Sequence, residues 1–380
     1  MTKTLRCFFF LLFVFVAPAA FSQFNNTALQ HRIRPDSLKL GELHLDFYNF
    51  NYVRNYEYFG PFQDGYTLYG TQLEPQLVYY AHPNLAITAG AYLRKDFGKS
   101  GIYEAKPLFS VKYQKKAISL IFGTLEGNIN HRYIEPLYDF ERKITTPIEY
   151  GTQFLLEKDK FFLDAWISWQ KMIYSAAEEK EEIVGGLSTE STIAEKNDWK
   201  VSIPLQMMVF HRGGQIDLLK EEPLTTLGNA AAGIKIHKTY YSDFLKEVFT
   251  DNYVAGFKDF SPTKQLPYDQ GFGLWLNAGV TTKAGTLMAS YWGGNKFISI
   301  KGMPLYQSLS NTVNNPNYIE SKRSILMLRY AYQKELLPNL FLDIRLEPHV
   351  DLSSPRVNQI EFSHSFFLTY KESFRLFKVK

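Results

Sequence analysis

Eight histidines and one cysteine bound the side-chain chemistry open to this chain. A serine hydrolase would need a Ser and a His on neighbouring positions, with a polar group to orient the imidazole. Ser363 and His364 are adjacent, and adjacent side chains in a strand point to opposite faces, which excludes that pairing. His349 could reach Ser363 or Ser365 across a strand pair, and Asp351 beside it would suit an acid–His pair that activates water. His211-Arg212-Gly213-Gly214 and His237 lack the spacing of metal ligands. The pairs Gly185-Gly186 and Gly293-Gly294 lack the Lys-Ser/Thr that completes a phosphate-cradling loop. Cys7 stands before the apolar run Phe8 to Val16, so it is not a lipoprotein acylation site, and the mature chain carries no thiol. The sequence therefore predicts no catalytic residue, no metal and no cofactor, and it reads as a non-enzyme.

The elements that would position these residues begin after an export signal. Lys3 and Arg6, the apolar run and the small residues of Ala17-Pro18-Ala19-Ala20-Phe21-Ser22-Gln23 predict a cleaved signal peptide over residues 1–23. Its apolar core is too short to span a bilayer as a helix, which takes about 20 residues. Residues 24–380 then form one domain. Losing Lys3 and Arg6 takes the net charge of +4 close to balance, against the strong basic excess of a nucleic-acid binder. The aromatic share is 16%, with 31 Phe and 25 Tyr, yet no later run approaches the length of a membrane helix.

That hydrophobicity sits in alternation. Leu340, Leu342, Ile344, Leu346, Pro348 and Val350 fall on one face of a strand, with Asp343, Arg345, Glu347 and His349 on the other. Similar stretches recur at 42–54, 70–81, 85–94, 105–114, 117–125, 147–157, 161–173, 199–210, 226–237, 271–282, 286–298, 323–334, 340–350 and 358–370. Many exceed the roughly 5–6 residues usual in soluble sheets. Short links such as His82-Pro83-Asn84, Lys115-Lys116 and Leu337-Pro338-Asn339 alternate with long polar segments. The prediction is an all-β fold: a transmembrane antiparallel β-barrel of about fourteen strands, within 12–16, with short periplasmic turns and long extracellular loops. Two segments strain this count. Residues 211–225 should be a short periplasmic turn but are long, and 239–270 has room for a hairpin.

If the apolar face meets lipid, the polar face lines the lumen. The expected lumen-lining set is Glu42, His44, Asp46, Glu74, Arg94, Lys112, Glu149, Asp164, Arg329, Asp343, Arg345, Glu347, His349 and Glu361. Such a wall is either a selectivity stripe or a set of cross-wall ion pairs. The segment 126–146, with His131, Arg132, Tyr133, Glu135, Tyr138 and Asp139, is the candidate constriction loop. The acidic run Glu178 to Glu182 reads as a solvated loop tip.

The signal ending Ala20-Phe21-Ser22-Gln23, the fourteen alternating stretches and the terminal strand Ile360 to Tyr370 resemble uncharacterised porin-like outer-membrane proteins of the Bacteroidota type. The expected function is a narrow porin-like channel for small hydrophilic solutes. The alternative is an accessory or structural barrel subunit of an outer-membrane secretion or assembly complex, and a barrel-borne hydrolase ranks below both. Expected partners are outer-membrane lipid and lipopolysaccharide, the barrel insertion machinery, and a protein docked through 211–225 or the outer loops, with no nucleic acid.

Overall fold

A computed structural model describes residues 26–126, 131–214, 216–353 and 359–378. The expected signal peptide, residues 1–23, lies outside them. The strands are β1 (Glu42–Glu57), β2 (Thr67–His82), β3 (Leu85–Asp96), β4 (Glu104–Lys115), β5 (Ile118–Thr124), β6 (Tyr150–Lys158), β7 (Phe161–Lys171), β8 (Glu181–Lys196), β9 (Trp199–Gly213), β10 (Thr225–Thr239), β11 (Leu245–Asp259), β12 (Gln270–Thr282), β13 (Gly285–Asn295), β14 (Lys322–Leu337), β15 (Leu340–Asp351) and β16 (Ile360–Lys378). Each pairs antiparallel with its sequence neighbour, and β1 pairs with β16, which closes the barrel.

The strands carry two chemically distinct faces. On β14, Leu326 and Leu328 are each 49% exposed while Met327 between them is 3% exposed. Apolar residues point out and polar or tightly packed ones point in, the reverse of a soluble sheet and the pattern a bilayer demands. The outer face is interrupted on the β16–β1–β2 wall. There Asn49 donates to Thr71 Oγ1 at 2.9 Å, Asn51 donates to Asn49 Oδ1 at 2.6 Å, and Thr67 donates to Asn55 Oδ1 at 2.6 Å. His364 lies on the same face, stacked on Phe362.

Sixteen strands among the described residues replace the expected fourteen. The two additions are β8, inside a segment read as loop, and β11, inside 239–270. With β8 restored, the connection after β9 falls on the long-loop side of the barrel. The segment 211–225 is therefore the end of β9 followed by an external loop, not a long periplasmic turn. The acidic run is also more than a loop tip: Glu181 and Glu182 begin β8, and buried Lys180 pairs with Asp217 at 3.1 Å.

Candidate functional site

Two long external connections fold into the barrel and meet there. Residues 131–149 follow β5, and residues 296–321 follow β13. Tyr138 and Lys301 form a parallel bridge between them, and Asp139 donates its N–H to Lys301 O at 2.8 Å. Tyr133, Ile134, Leu137, Phe297, Ile298, Met303 and Tyr306 are buried against the inner wall, packing on Trp166, Trp275 and Trp292. Trp292 is fully buried and its Nε1 donates to Tyr306 O at 2.8 Å. These contacts cap the backbone of both segments. Gln72 donates to Lys143 O and Ile144 O, Arg94 to Ile144 O and Thr145 O, and Asn229 to Ile298 O. Satisfying so many main-chain groups is what lets irregular backbone lie inside a barrel.

The other end is occupied by the segment that precedes β1. Leu29 is fully buried, Tyr48 donates to its carbonyl at 2.8 Å, and Arg345 donates to Asn26 Oδ1 at 2.5 Å. His31 pairs with Asp46 at 2.6 Å, and Arg32 with Glu157 at 3.1 Å. Leu29 meets Phe140 and Ile144 of the descending loop in one apolar cluster with Tyr48, Phe50 and Phe367. The interior is thus packed from both ends.

The residues expected to line the lumen are placed as follows. His44, Asp46, Glu74, Arg94, Lys112, Glu149, Asp164, Arg329, Asp343, Arg345, Glu347, His349 and Glu361 are all buried, and Glu42 is partly exposed at the mouth where β1 begins. Several converge. Arg329 pairs with Glu347 at 2.5 Å and with Glu135 of the inward loop at 2.9 Å, and Glu347 also meets Arg54 at 3.3 Å. Asp343 pairs with Arg345 at 2.9 Å. Arg94 stands apart, held by Asp96 at 2.8 Å. His349 meets Glu361 at 3.1 Å, while the serines it was expected to reach do not bond to it, and Ser365 accepts from Arg54 at 3.0 Å.

A second cluster ties the inward loop to the wall. His131 bonds Asp164 through Nδ1 at 2.8 Å and Glu149 through Nε2 at 2.9 Å, and its ring stacks on Trp166 at 4.4 Å. Burial opposes charging this imidazole, but the two carboxylates win and raise it to about 9. Burial pushes Glu149 up, yet Lys301 and His131 hold it well below the usual carboxylate range. Asp139 is raised to about 7 by burial and by the neighbouring charge of Glu141. Of the other loop candidates, Tyr133 donates to Met207 O at 2.7 Å, Glu135 takes Arg329, and Arg132 lies over the Phe162 ring. Sequence reasoning missed Arg54, Lys301 and Tyr306. Arg54 had a signal, since it falls on the same face as Asp46; the other two lie in a loop whose inward course leaves no pattern.

A closed antiparallel barrel with an apolar exterior and a polar, loop-filled interior is a multi-pass barrel of the bacterial outer membrane. The chain belongs to the lipid A 3′-O-deacylase-type family, whose model matches residues 33–379. That family is named for an enzymatic activity, which overturns the reading of this chain as a non-enzyme. Among solved structures, it is similar to a loop L8 deletion mutant of OmpT, an outer membrane protein of Vibrio cholerae. The identity is 11% and the TM-score 0.52, over 87% of this chain and 100% of that one. It is also similar to the outer membrane protein OprD from Pseudomonas aeruginosa, at 12% identity and a TM-score of 0.51 over 90% and 97% of the two chains. Likeness at these identities shows the fold alone. No curated protein matches the chain.

Proposed function

We propose that the protein is an outer-membrane hydrolase that removes an ester-linked acyl chain from a lipid A-type glycolipid of its own membrane. The family match over residues 33–379 carries this reading. The interior supports it: apolar packing around Trp292 and Tyr306 occupies the inside of the barrel, where a channel would need an open bore. The test is incubation of the full-length protein with vesicles containing lipid A, read by mass spectrometry. Loss of one acyl chain per lipid is expected, and lipid A left intact after prolonged incubation sinks the reading.

A narrow porin-like channel is the second reading. Barrels of about 16–18 strands leave room for an aqueous channel, and the buried Arg54, Arg329, Arg345, Asp343 and Glu347 would line it once the inward loops withdrew. Planar-bilayer recordings decide this one, since silence across a wide voltage range removes it.

A further inference from the structure

The eight histidines differ in what their ring nitrogens touch. His131 and His237 each bond carboxylates through both nitrogens, which makes them charged clamps. His31 and His349 meet one carboxylate each. His211 meets the Thr226 hydroxyl, His82 accepts from Asn84 N–H, and His364 stacks on Phe362. His44 alone among the described residues joins a serine to a carboxylate. Its Nε2 lies 2.9 Å from Glu42 Oε2 and its Nδ1 lies 3.3 Å from Ser373 Oγ.

A carboxylate can only accept, so His44 Nε2 donates to Glu42 and leaves Nδ1 to accept the Ser373 proton. Arg375 steadies the other Glu42 oxygen at 3.2 Å. The Tyr80 ring meets the imidazole edge-on at 5.3 Å. A bulge falls at this point, since Leu43 pairs with Phe377 but His44 pairs with Arg375. Bulges re-aim side chains and recur beside active sites. β16 also outruns β15, whose pairing with it stops at Leu340 and Tyr370, so Ser373 sits on a ribbon paired on one side only. His44 and Glu42 are 6% and 12% exposed, and Ser373 is half-buried. Phe374, Leu376 and Phe377 on the same ribbon present apolar surface, 48%, 47% and 55% exposed.

We propose that Ser373, His44 and Glu42 form a hydrolytic triad at the periplasmic mouth, acting on acyl esters of membrane lipids presented from the periplasmic side. This deepens the hydrolase reading and rests on it for the reaction class. Ser373 Oγ attacks the ester carbonyl as its proton passes to His44 Nδ1. The ester C–O bond breaks and the leaving alcohol takes that proton. Water then attacks the acyl–Ser373 ester, giving a proton to His44, which returns it to Ser373 Oγ as the fatty acid departs. Glu42 is the positioning residue that holds the tautomer.

The test uses the folded full-length protein in vesicles, with a fluorophosphonate probe and peptide mass spectrometry. The probe is expected on Ser373, with labelling slowed about 10²–10⁴-fold in His44→Ala, slowed less in Glu42→Gln, and absent in Ser373→Ala. Cooperative unfolding matching the parent shows each variant folded. No adduct on Ser373, or equal labelling in His44→Ala, overturns the triad. Vesicles of phosphatidylethanolamine and vesicles of lipid A separate the two acyl-ester sources. Lipid A deacylation that survives Ser373→Ala overturns the triad and leaves the hydrolase reading standing. Ser373-dependent release of fatty acid from phosphatidylethanolamine alone supports the triad and removes lipid A as the substrate.

Discussion

His131 shows how single residues hold the inward loop. Its two carboxylate partners keep the ring charged, and a histidine whose folded pKa of about 9 exceeds its unfolded value of 6.5 stabilises fully below the lower figure. That contribution fades as pH rises through about 9. Asp139 acts in the same sense earlier. Its folded carboxyl, raised to about 7 from 3.8, costs stability as pH climbs between those values. The loop should therefore be bound most firmly under mild acid. Fluorescence of Trp166, stacked on the His131 ring, is expected to change through about pH 9, and His131→Gln to abolish the transition; a variant that titrates like the parent counts against the clamp. Lys143 is the opposite case. It is fully buried, its Nζ makes no hydrogen bond, and it lies 4.7 Å from the Tyr48 ring centroid. Burial lowers its pKa, and Lys143→Met is expected to raise stability on the order of 1–3 kcal/mol, read as a higher Tm. The charge and aromatic content of 126–146 were legible in sequence. The Lys301–Glu149 pairing was not, because its partners stand 152 positions apart and neither follows a periodic signal.

At the scale of elements, alternation revealed the strands whose outward residues are large and apolar and concealed those that break the rule. β11 turns Phe249, Tyr253 and Phe257 inward, where Tyr253 and Phe257 pack with the inward segments, and leaves Thr250 and Asn252 outside, so its pattern reads inverted. β8 spends its outward positions on Gly185, Thr189 and Ser191 among few large apolar residues, so its contrast is weak. Both failures follow from assuming that apolar means lipid-facing; an interior filled by protein also rewards apolar residues. Gly273 on β12 has a related constraint, since a Cβ there would sit 2.0 Å from Trp292 Cη2. Gly273→Ala is expected to displace that indole and cost about 1–3 kcal/mol, measured by thermal unfolding, while an unchanged Tm would mean the ring is loosely held.

For the whole molecule, the packed interior separates scaffold from pore. Deleting residues 26–40, 132–148 and 297–320 removes the segments that fill the interior from both ends, Leu29, Phe140, Phe297, Met303 and Tyr306 with them. The truncated barrel is expected to conduct in planar bilayers where the intact protein is silent. Equal currents from both would mean the interior is already open. The barrel class was readable from the sequence because lipid imposes its period on most of the wall. The segment 126–146 was singled out as an inward loop by its charge and aromatics, but the inward course of 296–321 was unreadable because a long connection has the same composition whether it folds in or stands out.

The asparagine and threonine ladder on β1 and β2 gives the cylinder a front and a back. Asn49 and Asn51 lie near the middle of a 16-residue strand, so the apolar outer face of β1 is broken at mid-height. A bilayer meets a short hydrophobic wall by thinning. Lipid packing is expected to be loosest along this azimuth. A line of weakened membrane would then run along the outer face of β1, on one side of the cylinder only.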